Sequence, residues 1–173
     1  GAVTTTDGNG IFALTSGGNI TVNAGAVTST ANTAIIAQQT DAAQAGAINV
    51  TAGNTSGTTG IVATNSGTGT TTITANGTVT GTAAQGINVN GNNAVTVNVA
   101  NTVTGATRGL DLIGGTGGTG IILVQGTGGF VGGTGNAANI QNNGSGTVTV
   151  NVSGASSSTA GEGFVVRDTV AGG

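Results

Sequence analysis

The chain has 173 residues, of which 36 are glycine and only 4% are charged, and it contains no His, Cys, Met, Pro, Trp or Tyr. Without His or Cys it lacks the commonest general base, the thiolate nucleophile and the ligands that zinc and copper prefer. Its net charge is −3 and its only cations are Arg108 and Arg167, so we expect no nucleic-acid partner. The longest aliphatic run, Ile121 to Val124, is far shorter than the roughly 20 residues of a membrane-spanning helix.

A pattern of three short β-like runs repeats along the chain and is clearest between residues 60 and 105. There, GIVATN, TTTITAN and GTVTG are followed by GINVN, AVTVNVA and NTVTG. Equivalent positions recur every 24 to 26 residues. A repeat of this length is typical of a solenoid.

The first run of each repeat is anchored by a large apolar residue, and successive anchors are 24, 26, 26, 23, 30 and 24 residues apart. Glycine or alanine often precedes the anchor, which suits a tight corner. We expect burial of these anchors: Ile11, Ile35, Ile61, Ile87, Leu110, Ile140 and Phe164.

The second run alternates with a period of two, which predicts a strand with one buried and one solvated face. Its inward residues are predicted to include Ile20, Ile48, Ile73, Val97 and Val148, with Thr and Asn between them. The third run is shorter and degrades near residues 53–57; its anchors are Val27, Val79, Val103 and Val131.

Together the runs predict an all-β fold, a parallel β-helix with three short strands per coil and about six to seven coils of 23–30 residues. We expect a single solenoid domain over residues 1–173, as a fragment or as one unit of a longer rod or filament. An antiparallel sandwich or barrel is the alternative fold. It would need two-residue hairpin turns, for which only scattered Asn-Gly pairs such as Asn76-Gly77 qualify.

The repeated G-I-x-x-N, T-V-T-G and N-I-T-V-N segments, with Asn, Thr and Gly in the corners, carry a family resemblance. They resemble the β-helical passenger regions of bacterial autotransporters and related surface adhesins over nearly the whole chain. The resemblance implies a right-handed β-helix and an extracellular, cell-surface role that is adhesive or stalk-like.

The motifs that suggest catalysis or cofactor binding are weak, so we expect no enzyme activity, no cofactor and no metal. The GTGGTG segment around Gly115 and Gly120 is followed by a strand pattern rather than a helix, unlike a dinucleotide fingerprint. A polysaccharide-acting β-helix enzyme is one alternative, and Asp111 with Arg108, or Glu162 with Arg167 and Asp168, are its candidate residues. However, the sequence places Asn88 and Gln141 beside Asp111, whereas glycoside hydrolysis uses two neighbouring carboxylates.

Threonine pairs suggest a further alternative, an ice-binding β-solenoid. Thr72 and Thr74, Thr78 and Thr80, and Thr102 and Thr104 are spaced two residues apart, and Thr is also an ordinary solvent-facing strand residue. An ice-binding rank must continue from coil to coil, and the sequence places interruptions at Asn98 and Ile122.

We expect a second copy of the chain as the partner, because open sheet edges at the ends of a nearly uncharged rod favour pairing. Strand parity also predicts an apolar stripe of Phe12, Ile36 and Val62 on the outside, continued by polar Asn88, Asp111 and Gln141. We expect this stripe to contact another copy or the segment Ala2 to Thr6. A cell-surface or carbohydrate ligand is also compatible with the sequence.

The glycine clusters between Leu110 and Ile140 predict an irregular coil. Extra length in a solenoid repeat usually leaves the rod as a loop. We therefore expect a protruding, mobile loop that includes Gly114, Gly120, Gly126 and Gly135.

Overall fold

A computed structural model of the chain describes residues 1–116, 118 and 120–169, and twenty β-strands lie within them. In chain order the strands are β1 (Val3–Thr5), β2 (Ile11–Thr15), β3 (Ile20–Ala24), β4 (Val27–Ser29), β5 (Ile35–Gln39), β6 (Ile48–Ala52), β7 (Thr55–Gly57), β8 (Ile61–Asn65), β9 (Thr71–Ala75), β10 (Val79–Gly81), β11 (Ile87–Gly91), β12 (Val95–Val99), β13 (Val103–Gly105), β14 (Leu110–Gly114), β15 (Ile122–Gly126), β16 (Phe130–Gly132), β17 (Ala138–Asn142), β18 (Val148–Val152), β19 (Ser157–Ser158) and β20 (Phe164–Asp168).

Each strand pairs with the strand three positions earlier in the chain, which gives three parallel sheets. Sheet A has the order β1-β4-β7-β10-β13-β16-β19, sheet B has the order β2-β5-β8-β11-β14-β17-β20, and sheet C has the order β3-β6-β9-β12-β15-β18. Six complete coils, numbered 1 to 6 in chain order and each with one strand in sheets B, C and A in turn, run from β2 to β19. β1 and β20 flank them. The predicted parallel β-helix is confirmed, and the antiparallel alternative is wrong because consecutive strands lie in different sheets.

Alternation along each strand produces the core. In β8, Ile61, Ala63 and Asn65 are buried while Val62 and Thr64 lie on the outside. Equivalent residues of successive coils stack in register. Ile35, Ile61 and Ile87 therefore form one inward column. With coils about 4.8 Å apart, six of them make a rod core roughly 30 Å long.

Most of the predicted core residues are fully buried, and the exceptions lie in the terminal coils. Ile20, Ile35, Ile48, Ile61, Ile73, Ile87, Val97, Leu110 and Ile140 are buried. Ile11 and Val148 are only half-buried, and Phe164 is 37% exposed. Their inward direction is as predicted, but no described coil lies beyond them, so complete burial was a wrong expectation for these three.

Two anchors were assigned to the wrong residue. The first strand of coil 6 begins at Ala138, which pairs with Leu110, while Ile140 pairs with Leu112. The third strand of coil 5 turns Phe130 inward and Val131 outward. The strand has three residues, so its first and third residues face the core and only the central one, Val131, faces outward. The third run of coil 2 does not degrade but forms β7, in which Thr55 occupies the inward position and donates a hydrogen bond to the Gly53 carbonyl at 3.1 Å.

No helix long and apolar enough to cross a membrane occurs in the described part of the chain.

Candidate interaction surfaces

The apolar stripe lies on the outward face of sheet B. Phe12 pairs with Ile36, and Ile36 pairs with Val62, so the three side chains stand one above another. Phe12 is 56% exposed, and Leu14, two residues further along β2, is 57% exposed. Ile36 and Val62 are half-buried between their neighbours. The first three coils therefore present an apolar surface on this face.

The same outward column becomes polar in the later coils. It continues from Val62 to Asn88, Asp111 and then Asn139. Gln141, which the sequence placed in this column, pairs with Ile113 instead because coil 6 begins two residues earlier than expected.

The only two cations of the chain belong to one hydrogen-bonded network on this polar part of sheet B. Arg108 forms an ion pair with Asp111 at 2.8 Å, and Asn139 donates to the other oxygen of Asp111 at 2.8 Å. Arg167 donates to the side-chain oxygen of Asn139 at 3.1 Å. Both in-register neighbours of Asp111, Asn88 and Asn139, are amides, so the network lacks the paired carboxylates that glycoside hydrolysis requires.

The glycines of the predicted loop do not belong to one excursion. Gly114 ends β14 and is buried, Gly126 ends β15, and Gly135 lies in the corner after β16. Gly120 is buried in the turn before β15, and Gly117 and Thr119 of the same turn lie outside the described residues. A single loop from Gly114 to Gly135 is therefore wrong, because β15 and β16 lie within that span. The longest connection between described strands is instead residues 40–47, of which residues 40–45 are exposed.

Threonine and serine form an outward column on sheet A. Thr4, Thr28 and Ser56 are in register, as are Ser56, Thr80 and Thr104. Val131 replaces the hydroxyl in coil 5. On sheet C the corresponding column is mixed, since Asn49 lies between Thr21 and Thr72, and Leu123 follows Thr96. Ile122, which the sequence places as an interruption of the threonine rank, points inward, and the outward residue of that strand is Leu123.

Buried amides close the corner between sheets B and C, and sequence reasoning missed them. Asn65 donates to the carbonyls of Gly46 at 3.0 Å and Gly69 at 3.2 Å, and it accepts from the Gly67 amide at 3.0 Å. In coils 4 and 5 the same position is Gly91 and Gly114. A Cβ at Gly91 would lie 2.7 Å from Val95 and one at Gly114 would lie 2.9 Å from Ile122. A larger core side chain thus fills the space that the amide fills in coil 3, where the facing residue is Thr71.

The two ends of the described rod expose strand edges and inward-facing side chains. β1, β2 and β3 are the outermost strands at one end, and β19, β20 and β18 are the outermost strands at the other. Phe164 is 37% and Val166 is 48% exposed, although their pairing partners Ala138 and Ile140 are fully buried. The Phe164 ring packs edge-on against Phe130, with ring centroids 6.1 Å apart. These end faces therefore leave inward-facing apolar side chains partly exposed.

A groove of about 500 Å³ crosses four coils at the corner where sheet C meets sheet A. We call it the corner groove. One wall is the outward column Thr74, Asn98, Gln125 and Asn151, and the other is formed by residues of the corner itself. Its lining residues are Thr74, Ala75, Asn76, Asn98, Val99, Ala100, Gln125, Gly126, Thr127, Asn151 and Ser153.

No group of three or more His, Cys, Asp or Glu side chains with a geometry suited to a metal ion occurs within residues 1–116, 118 and 120–169. Comparison of the chain with models of protein families, with curated proteins and with solved structures finds no match.

Proposed function

We propose that this chain is a structural and adhesive rod at the bacterial cell surface, without catalytic activity, and that it self-associates end to end. The observation that carries the proposal is the uncovered pair of end faces. Phe164 and Val166 point toward the rod interior at one end, and Ile11 does so at the other, yet none of the three is fully buried. In the inner coils the same positions are sealed by the next coil.

The strand order defines how two copies would stack. If the chain path continues across the junction, β19 of one copy pairs with β1 of the next, and β20 pairs with β2. Ile11 and Ala13 then cover Phe164 and Val166. Sheet C has six strands where sheets A and B have seven, so the same stacking leaves sheet C one strand short at each junction.

Apolar burial and low charge both favour this contact. Full burial of a Val, Ile or Phe side chain contributes roughly 1.5–3 kcal/mol, and the two paired edges add backbone hydrogen bonds as in β-strand addition. Association costs about 4–15 kcal/mol of lost translational and rotational freedom, so the contact needs both contributions. A chain with 4% charged residues offers little electrostatic opposition.

The apolar stripe gives a second contact, lateral rather than axial. Phe12, Ile36 and Val62 lie on an outer face and remain accessible when rods stack end to end. We propose that they join neighbouring rods side by side, since contiguous exposed apolar surface usually meets a partner.

Electron microscopy and sedimentation velocity of the isolated chain test the axial contact. We expect filaments whose formation is abolished by the double substitution Phe164→Asp and Val166→Asp. The matched control is Val165→Asp, which lies between them on the same strand but on its outward face, and it should leave filaments intact. Monomeric rods of the unmodified chain at high concentration, or filaments that persist in the double variant, contradict the proposal.

Ice binding is a second candidate function, favoured by the hydroxyl column of sheet A. Thr28, Ser56, Thr80 and Thr104 follow one another in register at the spacing of adjacent strands, about 4.8 Å. A regular column of hydroxyl and methyl groups can order water on a flat face. Thermal hysteresis that is lost on Thr80→Val and retained on Thr72→Val, which changes sheet C, would favour this function, whereas no hysteresis would exclude it.

A further inference from the structure

The corner groove combines many hydrogen-bonding side chains with one exposed apolar residue and has no charged lining residue. Its side chains are amides and hydroxyls from Thr74, Asn76, Asn98, Gln125, Thr127, Asn151 and Ser153. Ala100 is the exposed apolar residue of the lining, whereas the side chains of Ala75 and Val99 are buried in the core. Its volume falls within the range of about 300–1,000 Å³ that is usual for small-ligand sites.

The amides along the groove are aligned by hydrogen bonds to one another. Gln125 donates to the side-chain oxygen of Asn98 at 2.9 Å, and Asn98 donates to the Thr74 hydroxyl at 3.3 Å. Each amide group carries two N–H donors and a carbonyl with two lone pairs. These contacts therefore fix the orientation of the side chains and leave further donors and acceptors on each coil directed at the groove.

A local irregularity of the backbone shapes the groove. Gly126 has φ 136°, a conformation that side chains other than glycine rarely adopt. In coil 4, the backbone N–H of Ala100, the first residue after β12, donates to the Ala75 carbonyl. In coil 5, the N–H that donates to the equivalent carbonyl, that of Val99, belongs to Gly128, the second residue after β15. Coil 5 therefore has one extra residue at this corner. The extra residue, Thr127, is turned outward and its hydroxyl donates to the Ala100 carbonyl at 3.1 Å. Such bulges redirect side chains and are common beside binding sites.

We propose that the corner groove binds a neutral oligosaccharide whose chain lies parallel to the rod axis, an inference that rests on the adhesive role proposed above. Sugar hydroxyls both donate and accept hydrogen bonds, as do the amides and hydroxyls of the walls. The apolar C–H face of a sugar ring suits the exposed methyl group of Ala100. Four coils span roughly 14 Å at the spacing of adjacent strands, which is the length of a short oligosaccharide. The uncharged lining offers no partner for the carboxylates or sulfates of an acidic glycan.

Saturation-transfer NMR and calorimetry with the full chain test this site. The probes are soluble oligomers of glucose, mannose and N-acetylglucosamine, with an oligomer of galacturonic acid as the acidic comparator. We expect at least one neutral oligomer to bind, with the acidic oligomer at least tenfold weaker. Absence of binding by every neutral oligomer, or preference for the acidic one, overturns the inference.

Variants then locate the binding. Ala100→Trp fills the groove from an exposed position, and the double substitution Asn98→Ala and Gln125→Ala removes the amide ladder. Both should weaken binding at least tenfold, whereas Ala83→Trp, at an exposed corner on another side of the rod, should not change it. Equal loss in the Ala83 variant, or unchanged binding in both groove variants, places the sugar elsewhere and overturns the inference.

Failure of this inference differs from failure of the proposed assembly. Filaments that form normally but bind no neutral oligomer refute the groove alone. Monomeric rods whose sugar binding is lost on Ala100→Trp refute the self-association and retain the groove.

Discussion

The inner coils and the terminal coils of this rod share one sequence pattern but differ in how well they bury it. Ile61 and Ile87 are fully buried in coils 3 and 4, whereas Ile11, in the same column at one end, is half-buried, and Phe164 at the other end is 37% exposed. A coil this thin cannot enclose its own apolar residues, so its burial depends on the coil above and the coil below. Stability in a solenoid is therefore a property of neighbouring pairs of coils.

The largest expected effect comes from removing a core side chain in an inner coil. Ile87→Ala should lower the free energy of unfolding by about 2–5 kcal/mol, because the cavity lies between two packed coils. Ile11→Ala, the same substitution in the same column at the rod end, should cost less than half as much. Chemical denaturation followed by circular dichroism measures both, and equal losses would show that end coils are as well enclosed as inner ones.

A smaller effect is expected from the buried amide of coil 3. Asn65→Ala leaves the Gly46 and Gly69 carbonyls and the Gly67 amide without their side-chain partner, which should cost about 1–3 kcal/mol. Thr15 has the equivalent position in coil 1 and accepts hydrogen bonds from Gly17 and Gly18. Because water reaches this half-buried residue, Thr15→Ala should cost less; thermal unfolding of the two variants makes the comparison, and a larger loss at Thr15 would contradict it.

Ile36→Asp should leave unfolding nearly unchanged and weaken lateral association about tenfold or more. The side chain lies at the centre of the apolar stripe and points away from the core, so the charge removes apolar contact without entering the interior. Asn88→Asp is the matched control, since it adds the same carboxylate to the same column two coils away. Sedimentation equilibrium gives the association constants; the stripe has no role in association if the two variants behave alike.

The smallest effect is expected from the ion pair of Arg108 and Asp111. Asp111→Asn should lower stability by no more than about 1 kcal/mol, because the Arg108 side chain is 37% exposed and an ion pair that water reaches contributes little. The loss should shrink further in high salt. A loss above 2 kcal/mol would mean that Asp111 organises the coil through its hydrogen bond with Asn139 rather than through charge.

How much of this structure the sequence predicts depends on how unambiguous each run is. Ile35, Ile61 and Ile87 were placed correctly because each is a large apolar residue that follows a small corner residue. The pattern is misleading at Ala138, because this small residue occupies the anchor position and the large apolar residue Ile140 follows two residues later. Since the error was two residues, strand parity survived and Ile140 is still buried.

Other features could not be predicted because the decisive contacts join distant residues. Phe130 and Val131 are both apolar, so alternation alone does not say which one points inward. The sequence predicts that Gly114 lies in a protruding loop. In the structure it ends a strand, and a side chain there would clash with Ile122, which fills the corner. The corner groove joins side chains from four coils and depends on the extra residue Thr127. Its only signal in the sequence is the run of Thr, Asn and Gln at equivalent outward positions of the second strand.

The direction of the backbone hydrogen bonds decides how the rod responds to mechanical force. Bonds such as those from Ile35 to Gly60 and from Ile61 to Gly86 join successive coils and so run along the rod axis. Tension between the two ends pulls on these bonds in series, and the coil with the weakest contacts detaches first. Successive coils begin 23 to 28 residues apart, and each one that opens releases about 75–100 Å of extended chain. A β-helical rod lengthens in steps under load, dissipating energy at each step, while the coils that have not yet opened keep their packed interior.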